Sequence, residues 1–425
     1  MMHAFFTIMF ITLVLSHSFH FKSPETEEEF VPLFNGQNLS GWVNVNCAPE
    51  TWTVSDGMII CSGIPTGVLR TVRQYENFIL ELEWRHLYKG GNAGLFIHSD
   101  AITAQGQPFT RSIECQIMDG NEGDMFAIHG ARLIPDNEDP FEKVGWMRSF
   151  PKEARMKPTG EWNHYRVESR EGMLTLAMNG KAVTRGFHLN PRKGYICLES
   201  EGSEVHFRNL RIMELPGTDP IPELNAEEDK GFISLYNGLD LRGWHAGRRS
   251  SWKADDWRLV SDAVQNQQWL LSEKEFRNFR LIVDWRLTGE PKASRVPVIL
   301  ADGRQALDED ENKIYIPIRD AGNAFILLRG TGGPAVELTC WPLGSGSILD
   351  NNRKRIAVPV MSNDLPPGEW NRFEISLSDN AVNIVLNGKT IIRNYNLGAI
   401  QQKGQIGLQH EGYPVEFANI YILEL

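Results

Sequence analysis

Positive charge is in short supply in this chain. Its 425 residues carry 43 Lys and Arg against 54 Asp and Glu, a formal net charge of −11. That balance disfavours a nucleic-acid backbone as partner, because such binding rests on neutralising phosphates. A neutral ligand stays open. Cysteine is scarce as well: five residues exclude a disulfide scaffold. Their spacing fits no zinc site, and no other metal or cofactor is indicated, although a divalent metal is not excluded. Cys47 and Cys61 lie in one early region and are expected to be able to pair after export. Cys115, Cys197 and Cys340 fall in strand-like text and read as small buried apolar residues. Long apolar runs are missing. The run from Ala4 to Leu15 is too short to span a bilayer comfortably. It reads as the hydrophobic part of a signal peptide over residues 1–22, with Ser16 to Ser23 as the cleavage zone. The expectation is an exported protein, periplasmic or extracellular, with no membrane span. Helical periodicity is scarce, and there is no nucleophile elbow, phosphate-binding loop or dinucleotide fingerprint.

What the chain does have is repetition. Phe30 to Gly36 followed by Leu39-Ser40-Gly41-Trp42 returns as Phe232 to Gly238 followed by Leu241-Arg242-Gly243-Trp244. Gly160-Glu161-Trp162-Asn163 and Asn179-Gly180-Lys181 return as Gly368-Glu369-Trp370-Asn371 and Asn387-Gly388-Lys389. The period is domain-sized, too long for a solenoid. We therefore expect one copy over 30–215, a linker over 216–230 that starts Pro216-Gly217 and turns acidic, and a second copy over 231–425.

Both copies read as β. Phe78 to Trp84 and Phe279 to Trp285 are matching strands with partly alternating faces. Tyr165 to Ser169 and Met173 to Met178 form a hairpin, and the next turn is Asn179-Gly180, a strong hairpin signal. Phe373 to Leu377, Val382 to Leu386 and Asn387-Gly388 repeat it. Each copy closes on a strand pair, Gly194 to Glu199 with Val205 to Met213, and Gly404 to Gln409 with Val415 to Leu423. Asn121 to Gly145 and Asp302 to Lys313 read as polar loops or insertions. Short strands and frequent glycine turns predict an all-β fold, two tandem antiparallel β-sandwiches of the jelly-roll kind.

Three stretches of the first copy carry candidate chemistry. In Gly90 to Ser99 the glycines suggest close approach of backbone or ligand. Alternation there puts Phe96 and His98 on one face, and His98 reads equally as an acid, base or sugar contact and as a satisfied histidine at a strand end. In Arg111 to Gly120 the same alternation puts Ser112, Glu114, Gln116 and Met118 together. A carboxylate and an amide two apart on an apolar strand are costly to bury unpaired, and both can bind hydroxyls. Asp119 can join them or cap the turn. In the loop from His129 to Trp146, Trp146 reads equally as a ring stacking on the apolar face of a sugar and as core, and His129, Arg132 and Lys143 are weaker candidates. In the second copy, Val296 to Ala301 and Asn312 to Asp320 are the expected counterparts. They lack the histidine, the carboxylate and the amide, which leaves Arg319, Asp320 and Arg329 for any different site.

Taken together, several segments resemble the 3-keto-disaccharide hydrolase family, also described as 3-keto-glucoside lyase/hydratase. They are Leu33-Phe34-Asn35-Gly36, Gly41-Trp42, Trp52 to Gly57, Gly91 to Phe96, Glu114 to Asp119, Gly160 to Asn163 and Val205 to Ile212. The first copy resembles the family over nearly its full length, the second at its ends. The resemblance implies a concanavalin-like or laminin-G-like sandwich and carbohydrate as partner. It also implies Glu114 as the catalytic base and either His98 or Asp119 as the acid that protonates the leaving oxygen, with Gln116 and Asn92 on the substrate. The family usually has serine where this chain has Ala93, and arginine where it has His98. The chemistry implied is C2 proton abstraction next to a C3 ketone, followed by loss of the C1 substituent. A non-catalytic carbohydrate-binding protein and a protein-interaction module stand as the competing readings.

Overall fold

The computed structural model describes residues 29–136, 147–247, 250–263 and 268–425. The signal peptide expected over 1–22, and Lys143 and Trp146, lie outside the described residues.

The described structure is all-β apart from two single-turn 3-10 helices, Pro49–Thr51 and Pro222–Leu224. The first copy holds two antiparallel sheets. A nine-stranded sheet is centred on Phe78–His86, between Asn163–Arg170 and Val205–Glu214. A seven-stranded sheet runs in the order Arg148–Ser149, Met125–Ile128, Ser112–Gln116, Gly94–Ser99, Tyr195–Ser200, Gly67–Thr71, Trp42–Asn44. The inward residues of both sheets, Leu82 and Trp84 from one and Leu95, Ile113 and Leu198 from the other, share one buried core. The Asn179-Gly180 turn takes left-handed φ at both residues, 48° and 85°, as the hairpin signal requires.

The second copy repeats the plan. Its seven-stranded sheet runs Trp244–Ala246, Gln268–Phe276, Gly404–His410, Asn323–Leu327, Ala335–Thr339, Ile348–Leu349, Arg355–Ala357. An eight-stranded sheet centred on Phe279–Leu287 closes a separate core. Among the described residues no helix is long and apolar enough to cross a membrane.

Several sequence expectations need correction. The Tyr195–Ser200 and Val205–Glu214 strands do not pair: they belong to opposite sheets, because the Glu201 to Glu204 turn carries the chain across the core. The stretch after Asn121 is not all loop, since Met125–Ile128 and Arg132–Pro135 are strands. Cys47 and Cys61 are free buried thiols and do not bridge; burial pushes both up, Cys61 to about 11. Cys340 sits just past its strand and is only half-buried.

The two copies are tightly joined. The loop from Ala101 to Phe109 of the first copy lies across the outer face of the second copy's larger sheet. Gly106 N donates to Asp284 Oδ2 at 2.7 Å, Arg372 donates to Thr103 O at 3.0 Å, and Asn419 Nδ2 donates to Ala104 O and Gln107 O at 3.0 and 2.9 Å. Arg372 also pairs with the fully buried Asp284 at 2.6 Å. Ile282 and Tyr421 of the second copy pack with Val68, Phe96, Ala101 and Cys197 of the first.

Candidate active site

Strand register decides what meets Glu114. Phe96 pairs with Glu114 and Gly94 with Gln116 across one side of the central strand. On its other side Leu198 pairs with Leu95, so Glu199, one residue on, lies beside Gly94. Side chains alternate along a strand, so Glu114, Gln116, Phe96, Gly94 and Glu199 all project from the outer face, away from the core. Gly94 has no side chain between the two carboxylates. A Cβ placed there would stand 2.6 Å from Glu199 Oε2 and 2.9 Å from Glu114 Oε1. The glycine therefore leaves a gap that both carboxyl groups crowd.

Among the described residues neither group has an easy counter-charge. Glu114 is 8% exposed and Glu199 1%. Burial, then the charges of Glu201 and Asp124, push Glu114 up to about 8, against a partial pull from Arg148. Burial, then Glu114 and Glu201, push Glu199 well above the usual carboxylate range. Glu199 Oε2 has no hydrogen-bond partner among the described residues. Glu201 and Asp124 are raised too, mainly by burial. The polar surround is supplied by neighbours. Asn92 Nδ2 donates to Glu201, Arg148 pairs with Asp124, and Tyr165 OH holds the backbone of Gln116 at 2.6 Å. Asn92 Oδ1 is buried without a partner among the described residues. Among the described residues no three His, Cys, Asp or Glu side chains are disposed to hold a metal ion.

The other sequence candidates lie elsewhere. His98 does not share the Phe96 face. Its φ of 54° and a register irregularity in the neighbouring pairing turn it inward, between the sheets. There Nδ1 lies 3.2 Å from Pro191 O and Nε2 3.0 Å from Glu76 O, and burial pushes the imidazole down to about 4. Asp119 caps a turn, accepting from Gly90 N at 2.8 Å. Gln116 and Asn92 do border the carboxylates. His129 tilts against Phe109 at 6.3 Å, itself edge-on to Phe96 at 5.6 Å, so it stands two rings from Glu114. Arg132 is exposed at the edge of the opposite sheet. A cleft of about 510 Å³ opens between the copies, but neither Glu114 nor Glu199 lines it.

Glu199, Glu201, Asp124 and Arg148 were not singled out in the sequence. A signal for two of them was present: in Cys197-Leu198-Glu199-Ser200-Glu201, two carboxylates recur at strand period on an otherwise apolar run, as Glu114 and Gln116 do.

The second copy's counterparts also differ from expectation. Lys292–Pro297 and Tyr315–Asp320 form a separate two-stranded ribbon, inserted before the sheet resumes. The strand matching Gly94–Ser99 is Asn323–Leu327, and the one matching Ser112–Gln116 is Ala335–Thr339. Backbone bonds fix the match. Gln116 N donates to Asp124 O and Gly123 N to Gln116 O, as Glu337 N donates to Ser347 O and Gly346 N to Glu337 O. A carboxylate is therefore present there after all: Glu337 stands where Gln116 does, neutralised by Arg355 at 2.5 Å. Phe325 stands for Gly94, Ala335 for Glu114 and Gln409 for Glu199. Arg329 stands for His98, fully buried and donating to Arg277 O and Gln401 O at 2.5 and 2.7 Å. Arg319 donates to Pro291 O, and Asp320 accepts from Gly322 N, both local to the ribbon.

The model of the 3-keto-alpha-glucoside-1,2-lyase-like domain matches this chain twice, over 29–213 and 231–423. The chain belongs to that family. A 3-keto-disaccharide hydrolase of Bacteroides thetaiotaomicron is 24% identical over 243 residues, 45% of this chain and 80% of that protein. Two crystal structures of provisionally assigned glycosyl hydrolases from Parabacteroides distasonis are 25% and 27% identical. Each covers 44% of this chain, and 94% and 100% of their own chains, with TM-scores of 0.34 and 0.33. In this family member the two copies share their sheet plan, and among the described residues the first alone carries the paired carboxyl groups.

Proposed function

We propose that the first copy cleaves 3-keto-glucosides by proton abstraction and elimination, with Glu114 as base and Glu199 as acid. The observation that carries this is the pair of buried carboxyl groups facing one glycine gap, in a chain of this family. Where two neighbouring acids have their proton affinities pushed apart, the lower one ionises first and serves as base while the higher keeps its proton. Arg148 pulls Glu114 toward its ionised form, and among the described residues no cation does so for Glu199, so Glu114 is read as the base and Glu199 as the acid.

A ketone at C3 acidifies the hydrogen at C2. Ionised Glu114 takes that proton, and the electron pair moves into the enolate with charge on O3. As the enolate collapses, the C1–oxygen bond breaks and Glu199 gives its proton to the departing oxygen. The products are an enone and a free alcohol. Water then adds at C1 and a proton returns to C2, so the net result is hydrolysis. The amides of Gln116 and Asn92, both bordering the gap, are the donors available to the sugar and to O3. We read each pair of sheets as a jelly-roll sandwich, supported by the antiparallel sheets closing one core.

Turnover of a 3-keto-glucoside by the full chain tests the reading. Glu114→Gln is expected to lower the rate by roughly 10²–10⁴ with the melting temperature kept or raised. Retention of most activity would remove Glu114 as the base.

A further inference from the structure

The second copy gains something where it loses the acid pair. At the position of Val68, which is fully buried in the first copy, it has Trp269, 44% exposed. Trp269 pairs with Gln409, which pairs with Phe325, so the three project in a row from the outer face of the sheet. In the first copy the matching spot, Val68, is covered by its own Ala101 and by Ile282 and Tyr421. In the second, a shallow depression beside Trp269 is lined by Leu327, Thr331, Asp350, Asn351, Arg353 and Gln409.

The rim is pre-set. Arg353 lies over the Phe325 ring at 4.4 Å and donates to Gln409 Oε1 at 2.7 Å. Asp350 Oδ1 accepts from Asn352 N and Lys354 N at 2.9 and 3.0 Å, fixing the turn that presents Asn351. A flat apolar ring edged by amide, hydroxyl, carboxylate and guanidinium groups matches one ligand chemistry well. A pyranose has an apolar C–H face for stacking and a hydroxyl edge for hydrogen bonds. A docking protein would call for a broader apolar patch than one tryptophan with a polar rim.

We propose that the outer face of the second copy is a binding site for a neutral pyranoside chain, with Trp269 as the stacking platform. It performs no chemistry, since Ala335 and Gln409 replace the acid pair, and it is independent of the reaction proposed for the first copy. The test is calorimetric titration of the full chain with cellotetraose, maltotetraose and laminaritetraose. At least one is expected to bind. Trp269→Ala should weaken that binding about ten-fold or more, with Arg353→Ala weakening it less and Trp269→Phe retaining part of it. The Phe variant keeps the ring and guards against a loss caused by misfolding. Failure of all three sugars to bind, or equal affinity in Trp269→Ala, overturns the proposal.

Discussion

Across the outer face of the first copy, four neighbouring strands present Val68, Glu199, Gly94 and Gln116; the second copy presents Trp269, Gln409, Phe325 and Glu337 at the same places. The first row buries an acid that has no counter-ion among the described residues, beside a gap. The second pairs its acid with Arg355, fills the gap with a ring and neutralises the remaining position. A sheet needs neither an unpaired buried carboxyl group nor a missing side chain, and both are unfavourable for stability. The second row is what the fold accepts when nothing else is asked of it. The first copy departs from that at Gly94, at Glu199 and at the adjacent Glu114 together, and a concerted departure of this kind marks a site under functional demand.

The sharpest way to break the comparison is to write the second copy into the first. Glu199→Gln copies Gln409. It should slow cleavage of a 3-keto-glucoside with an alkyl leaving group by roughly 10²–10³, and one with a nitrophenol leaving group far less, because a good leaving group needs no acid. Equal losses on both would remove Glu199 as proton donor. Gly94→Phe, copying Phe325, should abolish turnover and lower the melting temperature, since the gap is bordered by two carboxyl groups. Adding Glu114→Ala and Glu199→Gln should restore the melting temperature but not the activity, a non-additivity expected of touching residues.

The junction between the copies is the next largest effect. Asp284 is fully buried and bonded to Arg372, Asn419 and the Gly106 backbone at once. Asp284→Ala leaves Arg372 facing the interface without its partner. We expect a loss of about 3–5 kcal/mol in urea unfolding, and earlier proteolysis in the Ala101 to Phe109 loop. Unchanged unfolding would mean that the copies fold without leaning on each other.

A smaller effect separates the two rows by pH. Glu114 in an unfolded chain titrates near about 4.3; folded, it is pushed up to about 8. Its contribution to stability is therefore fully present below the unfolded value. It is lost as pH rises through that window, because the unfolded chain gives up the proton first. Glu114→Gln should flatten the fall in melting temperature between pH 5 and 8. Superimposable curves for the two proteins would mean that Glu114 titrates like an exposed acid.

Much of this was legible in the residues. The Asn-Gly turns, the paired strands around Phe78 and Phe279, and the shared face of Glu114 and Gln116 follow from local rules that the tertiary structure obeys. Local pattern does not reveal that Glu199 belongs with Glu114, because strand order alone brings it there, from beyond six intervening strands of the described chain. The second copy's strands were misplaced because an inserted ribbon occupies the stretch where the first copy has only a short connection, and its alternating Ile314, Ile316 and Ile318 imitate a sheet strand. His98 was put on the wrong face because strict alternation has no place for a residue at positive φ.

That last residue yields the smallest and most specific test of the match between copies. His98 and Arg329 face equivalent carbonyls, Glu76 O and Pro191 O in one copy, Arg277 O and Gln401 O in the other. A neutral imidazole carries one N–H and satisfies one of its two carbonyls at a time, whereas a guanidinium reaches both. With burial holding His98 down to about 4, the neutral form prevails above that pH. If the residue only ties carbonyls together, His98→Arg should leave turnover of a 3-keto-glucoside and its pH profile unchanged and move the melting temperature by no more than a few degrees. His98→Ala removes the imidazole N–H and leaves Pro191 O without it, while Glu76 O keeps the Ser169 hydroxyl at 3.0 Å; it should be less stable by about 1–3 kcal/mol. Loss of turnover in a well-folded His98→Arg protein would instead return the imidazole to the chemistry and undo the equivalence of the two strands at that position.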